Sequence, residues 1–123
     1  MEKAKTRKAI GNATEKRVLE WLKANGYWAH LMLQGANGQP CDIIAVKDGR
    51  VILIDAKHCS ARRFALSRIE ANQATSFGYA KKFGMECAFV CEHEGDLYII
   101  KWGDVLRQRD LPSIELREED RLK

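Results

Sequence analysis

Three acidic side chains and one lysine stand where the sequence otherwise builds apolar structure: Glu15 in GNATEKRVLEWLKANG, Asp42 near the head of CDIIAV, and Asp55 with Lys57 at the end of VILIDAK. The last three can be placed relative to one another by counting. Asp48–Gly49 is a tight-turn pair between two β-branched runs, so CDIIAV and VILIDAK read as the arms of a β-hairpin. A two-residue turn pairs Lys47 with Arg50, and counting outward sets Val46 against Val51, Ile44 against Leu53 and Asp42 against Asp55. Opposed residues share one face of a sheet with Cβ atoms about 5 Å apart. Lys57, two residues past Asp55, returns to that face.

Two carboxylates at that separation repel, and burying both is costly unless a cation neutralises them. A hard divalent ion suits such a site best: Mg2+ takes oxygen ligands, keeps several waters, and is held by one or two carboxylates together with substrate phosphates. Lys57 would then orient or deprotonate a water, or stabilise charge developing on a phosphate. The plainer reading is a salt-bridged triad on a solvent-facing sheet surface.

The elements that position these residues follow from periodicity and punctuation. A helix over about residues 12–24 is expected, with Asn12 and Glu15 as an N-x-x-E start, Val18, Leu19 and Leu22 as its apolar stripe, and Asn25–Gly26 as its stop. YWAHLML reads as a strand that QGANGQP interrupts. A second helix is expected over about residues 66–83, where Leu66, Ile69, Phe77 and Ala80 fall near helical spacing and Gln73 shares their stripe. MECAFVCEHEGDLYIIKW reads as a strand pair about Glu94–Gly95, residues 103–110 as a short last helix, and the acidic tail after Pro112 as loosely held. The order α-β-β-β-α-β-β describes an α/β fold, a sheet flanked by helices. At 123 residues the chain is expected to form one domain, 1–123, with a basic arm over 1–10 and an acidic tail over 112–123.

Composition narrows the setting. No apolar run approaches the roughly 20 residues that span a bilayer, and the N-terminus lacks a signal-peptide core, so the expected location is the cytoplasm, with no membrane partner. Cys41, Cys59, Cys87 and Cys91 are then expected to be reduced. Cys87-x3-Cys91 lies close to His93, but ECAFVCE reads as a strand without a paired knuckle, so no structural zinc is expected. The formal charge of +4 is unevenly spread. Lys3, Lys5, Arg7 and Lys8 crowd the first residues and Arg62, Arg63 and Arg68 follow Lys57, a segregation that suits a polyanion such as nucleic acid and also an ordinary solvated surface. His58 alternates to the face opposite Lys57, where a structural or surface role is expected, and Trp21, Trp28, Tyr98 and Trp102 read as core or interface residues.

PCDIIAV followed by LIDAK resembles the PD-(D/E)xK nuclease signature, and IGNATEKRVLEWLKANGYWA is similar to the opening helix of the archaeal-type Holliday-junction resolvases of that superfamily, in which an acid follows a glycine, here Gly11 and Glu15. AKKFGMECAFVCEHEGDLYIIKW resembles their closing helix-strand segment, so the similarity runs over roughly residues 8–102. The resemblance implies a restriction-endonuclease-like core with a mixed central sheet, and a metal-dependent endodeoxyribonuclease selective for four-way junctions. It implies Glu15, Asp42, Asp55 and the Ala56 carbonyl as ligands of Mg2+, with Mn2+ as a substitute. It assigns Lys57 to the nucleophilic water and Gln73 to the catalytic set, with Lys3, Lys5, Arg7, Lys8, Arg62, Arg63 and Arg68 on DNA. It also implies branched DNA as partner and a homodimer. Two departures stand out: Cys41 separates Pro40 from Asp42, and the second acid is Asp55 where glutamate is more frequent. The alternatives are a nuclease of the same superfamily acting on flaps, ends or duplex, and a non-catalytic DNA-binding module with the same fold.

Overall fold

The structure, a computed structural model, describes residues 6–32 and 39–123. Helix α1 (Arg7–Ala24) is followed by β1 (Trp28–Leu31), β2 (Ile43–Lys47), β3 (Arg50–His58) and β4 (Arg63–Ala65). A 3-10 turn at Leu66–Arg68 leads to α2 (Ala71–Lys82), then β5 (Glu86–His93), β6 (Asp96–Lys101), α3 (Trp102–Arg107), β7 (Ser113–Glu115) and a last 3-10 turn, Glu118–Asp120. Five strands form one sheet in the order β1-β2-β3-β5-β6. Every neighbouring pair is antiparallel except β3 with β5, which run parallel and are joined through α2. The sheet is therefore mixed and flanked by helices, as expected. Among the described residues no helix is long and apolar enough to cross a membrane.

The β2–β3 hairpin has the register obtained by counting: Lys47 faces Arg50, Val46 faces Val51 and Ile44 faces Leu53. The turn works because Asp48 and Gly49 both take positive φ, 51° and 75°, which matches the twist of the flanking strands. Glu94 and Gly95, at 49° and 85°, do the same between β5 and β6.

Alternation along the strands divides the core. On one face Val18 and Leu22 of α1 pack on Ile43, Ala45, Ile54, Val90 and Leu97. On the other, Phe77 and Ala80 of α2 and Trp102 and Val105 of α3 pack on Leu53, Cys87, Phe89, Cys91 and Ile100. Central β5 is buried on both faces along nearly its whole length, as befits the partner of a parallel strand.

Several expectations are corrected. Helix α1 begins at Arg7, where Thr6 is the N-cap and its Oγ1 accepts the Ala9 N–H at 3.1 Å, so Asn12 and Glu15 lie inside the helix and form no capping box. The described end of the basic arm is thus helical. The second helix starts only at Ala71, because Ile69 and the N-cap Glu70 are extended. Helix α3 runs over Trp102–Arg107 rather than 103–110. The C-terminal segment is not loose: β7 pairs with β4, Ile114 and Leu116 are buried, and the Leu122 N–H donates to the Leu97 carbonyl at 2.8 Å. Of the aromatics expected in core or interface, Trp102 and Tyr98 are buried, while Trp28 stands 61% exposed, stacked on His30.

Candidate active site

The ladder between β2 and β3 ends at Ile43–Ile54, one step short of the carboxylates. Asp42 donates its N–H to the Ile54 carbonyl at 3.0 Å and accepts the Met32 N–H on its own carbonyl at 2.8 Å. Its Oδ2 then accepts the Ala56 N–H at 2.9 Å. A side chain thus satisfies the next donor of β3, and this fixes the Asp42 carboxylate beside Asp55.

Asp55 is buried and Lys57 partly so, with Lys57 Nζ 3.0 Å from Asp55 Oδ2. The ammonium approaches as an ion pair outside hydrogen-bond alignment, which leaves Asp55 Oδ2 without a hydrogen-bond partner in the structure. Asp55 Oδ1 accepts from Gln73 Nε2 at 2.9 Å. Gln73 Oε1 meanwhile accepts the Glu70 N–H at 3.1 Å in a capping box that starts α2. Both ends of the amide are engaged, so its orientation is set and α2 is keyed to the strand end. Gln73 is therefore more than a polar residue at the rim of a helix face.

The electrostatics are those of crowded negative charge. Burial pushes the Asp55 carboxyl up to about 7, and the neighbouring Asp42 charge adds to this while Lys57 opposes it. Asp42 is raised too, by burial foremost and also by the Glu15 charge, against the hydrogen bond from the Ala56 N–H and the pull of Lys57. Each carboxyl group therefore influences the other's protonation. Buried oxygen donors, excess negative charge and an Asp55 oxygen lacking a hydrogen-bond partner fit a hard divalent cation.

Glu15 lies half-buried on α1 within electrostatic reach of Asp42. Among the described residues, however, no three His, Cys, Asp or Glu side chains are gathered closely enough to hold an ion. The structure brings Asp42, Asp55, Lys57 and Gln73 together and leaves Glu15 at the margin.

The basic residues differ in their freedom. Lys3 and Lys5 lie outside the described residues. Arg7 and Lys8 are exposed on the first turn of α1. Arg62 Nε donates to the Leu116 carbonyl at 2.9 Å and its guanidinium lies over Tyr98. Arg63 Nε donates to Ser113 Oγ at 2.7 Å, and Arg68 Nη1 to the His58 carbonyl at 2.7 Å. The last three brace the β4–β7 pair and the end of β3 while remaining exposed. All four cysteines are free and buried.

Sequence reasoning missed a second polar cluster on the α1 side, where Thr14, Arg17, His58 and buried Glu92 meet. Thr14 and Glu92 are 78 residues apart, and no local pattern links them.

A mixed five-stranded sheet with paired aspartates at a strand end and a lysine two residues on is the arrangement that the resemblance to the PD-(D/E)xK nucleases implies. Comparison with known proteins narrows this. The chain belongs to the archaeal Holliday junction resolvase (Hjc) family, whose model matches residues 6–120. Among solved structures it is similar to Hjc of Archaeoglobus fulgidus, described as a Holliday junction resolvase from an archaeal hyperthermophile. The TM-score is 0.63 at 18% identity, with 89% of this chain and 85% of that one covered, a likeness of fold. No curated protein matches the chain.

Proposed function

We propose that this chain is a Mg2+-dependent endonuclease that cuts the DNA backbone at four-way junctions, acting in the cytoplasm as a homodimer. The observation that carries the reading is the pair of half-buried Asp42 and buried Asp55, two carboxylates served by one lysine, in a chain of the resolvase family.

Asp42 and Asp55 are the residues that would hold the ion, with the Ala56 carbonyl beside them and Glu15 as an outer carboxylate. When bound, the metal supplies a Lewis acid for the phosphate and lowers the pKa of a water. The chain's own contribution is preorganisation. The Ala56 N–H holds Asp42 and the Gln73 amide holds Asp55, so neither carboxylate must reorganise as charge develops. Lys57 faces the same point, placed to orient the attacking water and to balance the charge growing on the phosphate. Lys8, Gly11 and Glu15 follow one another along one strip of α1 by helical spacing. The glycine leaves bare backbone there, and a Cβ built on it would meet nothing within 4 Å. The strip suits close approach of a phosphate backbone, and Lys8, Arg7, Lys3 and Lys5 would extend it with charge. Exposed Arg62, Arg63 and Arg68 are a second phosphate-facing group.

Two symmetric cuts call for a two-fold axis. Tyr79 and Phe83, 64% and 67% exposed, form an edge-to-face pair at the end of α2, on the sheet face that carries Asp55. Solvent-exposed aromatics of that size in a family acting on a symmetric substrate favour a second copy of this chain as their cover. Replacing both with glutamate should convert a dimer to a monomer in sedimentation; an unchanged sedimentation coefficient would place the dimer contact elsewhere.

Cleavage of a labelled four-way junction beside linear duplex, with Mg2+ and with EDTA, tests the function. Paired Mg2+-dependent nicks confined to the junction are expected. Cutting of both substrates would make the chain a nuclease of broader choice, and intact junction binding without cutting would make it a binding module.

A further inference from the structure

We infer that Glu92 is a positioning residue for the metal site, locking the helix that carries Glu15 to the strand that carries Asp55 and Lys57; the inference rests on the nuclease reading above. Glu92 is 7% exposed on β5 and faces His58 in the parallel β3–β5 register. Thr14 Oγ1, itself 1% exposed, lies 3.0 Å from Glu92 Oε1. Arg17 Nη1 lies 2.5 Å from Glu92 Oε2, while Arg17 Nη2 donates to the Gly95 carbonyl at 3.0 Å and so ties the β5–β6 turn into the same cluster. His58 Nδ1 is 3.8 Å from Glu92 Oε1.

Thr14 directly precedes Glu15, and His58 directly follows Lys57. Glu92 therefore bonds the neighbour of Glu15, and the β3–β5 ladder sets it opposite the neighbour of Lys57, whose Nδ1 itself has no hydrogen-bond partner. The Thr14 hydroxyl has one proton and two acceptors in reach, the Ile10 carbonyl at 3.1 Å and Glu92 at 3.0 Å. The ionised acceptor makes the stronger bond, and more so where water is excluded. Val18 and Leu22 add apolar contacts between α1 and the sheet. Such contacts tolerate small rotations and slides, whereas a buried charge-assisted bond does not. Glu92 thus sets the rotation of α1, and with it how near the Glu15 carboxylate comes to the Asp42–Asp55 pair. An anchor of this kind acts on metal affinity through the ligands it orients.

The test is Mn2+ binding to the protein alone, read as loss of the free-ion electron paramagnetic resonance signal, for wild type, Thr14→Val, Thr14→Ser and Leu19→Ala. Thr14→Val keeps side-chain volume and removes the hydroxyl. It should weaken Mn2+ binding about tenfold, and Thr14→Ser should restore it. Leu19→Ala loosens the same helix from its apolar side, so at an equal loss in Tm it should leave Mn2+ affinity near wild type. Unaltered affinity in Thr14→Val, no rescue by serine, or an equal loss in Leu19→Ala would each overturn this inference and leave the junction-nuclease reading standing. Failure of the wild type to bind Mn2+ would overturn both.

Discussion

The two faces of the β3–β5 pair bury carboxylates on opposite terms. On the α1 face, Glu92 has Arg17, the Thr14 hydroxyl and His58 around it. On the α2 face, Asp42 and Asp55 face each other with Lys57 as their nearby cation, and Glu15 adds further negative charge. The first has its own cation and hydroxyl donor against the carboxylate, with Glu92 Oε2 held by the Arg17 ion pair rather than by an aligned hydrogen bond, and it stabilises the packing of helix on sheet. The second is short of positive charge, so folding alone leaves it strained in the metal-free protein, and a divalent ion relieves it. Burial alone therefore does not mark a functional carboxylate; the balance of charge around it does.

The comparison can be broken by removing one acid from each side. Asp55→Asn should lower junction cleavage to about a thousandth of wild type, since a metal ligand is worth several kcal/mol in the transition state. The same substitution should raise Tm in EDTA at pH 8, because a neutral amide replaces a charge that the site disfavours. Cleavage assays and thermal melts check the two halves; a fall in Tm would mean the pair is not repulsive. Glu92→Gln should do the reverse in the melt, costing about 1–2 kcal/mol, a value discounted because the Arg17 side chain is 50% exposed.

Gln73→Ala should lower cleavage about 10–100-fold, the usual cost of freeing a ligand from its hydrogen-bond partner. Circular dichroism checks that α2 survives loss of its capping box, and Gln73→Glu separates the roles by keeping a capping acceptor while adding charge against Asp55. Rapid cleavage by Gln73→Ala would reduce Gln73 to a helix cap.

A pH series sharpens the electrostatic difference. The Asp55 carboxyl sits at about 7 in the folded chain against an ordinary 3.8, so between those values the folded state holds the extra proton. Its contribution to stability therefore declines as pH rises from about 4 to about 7 and is level above that. In EDTA, the Tm difference between Asp55→Asn and wild type should widen over that window, and Mg2+ should narrow it at pH 8. A difference independent of pH would contradict the raised carboxyl.

The smallest expected effect is at Gly11. Gly11→Ala should stabilise α1 by about 0.5–1 kcal/mol, since the added Cβ meets open space. If DNA approaches that strip, junction affinity should fall as Tm rises; unchanged affinity in a gel-shift titration would move the DNA path elsewhere.

Much of this site was legible because one turn fixes it. Asp48–Gly49 admits a two-residue loop, which determines the register and so the Asp42–Asp55–Lys57 convergence. The start of α1 was not legible, because Asn12 and Glu15 imitate a cap and Thr6 offers the same chemistry earlier. Strands β4 and β7, three residues each, are too short to show a period, and their pairing depends on contacts about 50 residues apart. The Thr14–Glu92 contact had no signal either, since a lone threonine on a helix and a lone glutamate on a strand are ordinary surface choices until the fold buries both.

The most direct test of the central claim is a calorimetric titration of Mg2+ into wild type and Asp55→Asn at pH 8. Saturable binding to the wild type, lost in a folded Asp55→Asn, is expected if the crowded aspartates are the metal site. Equal binding by the two proteins would contradict it.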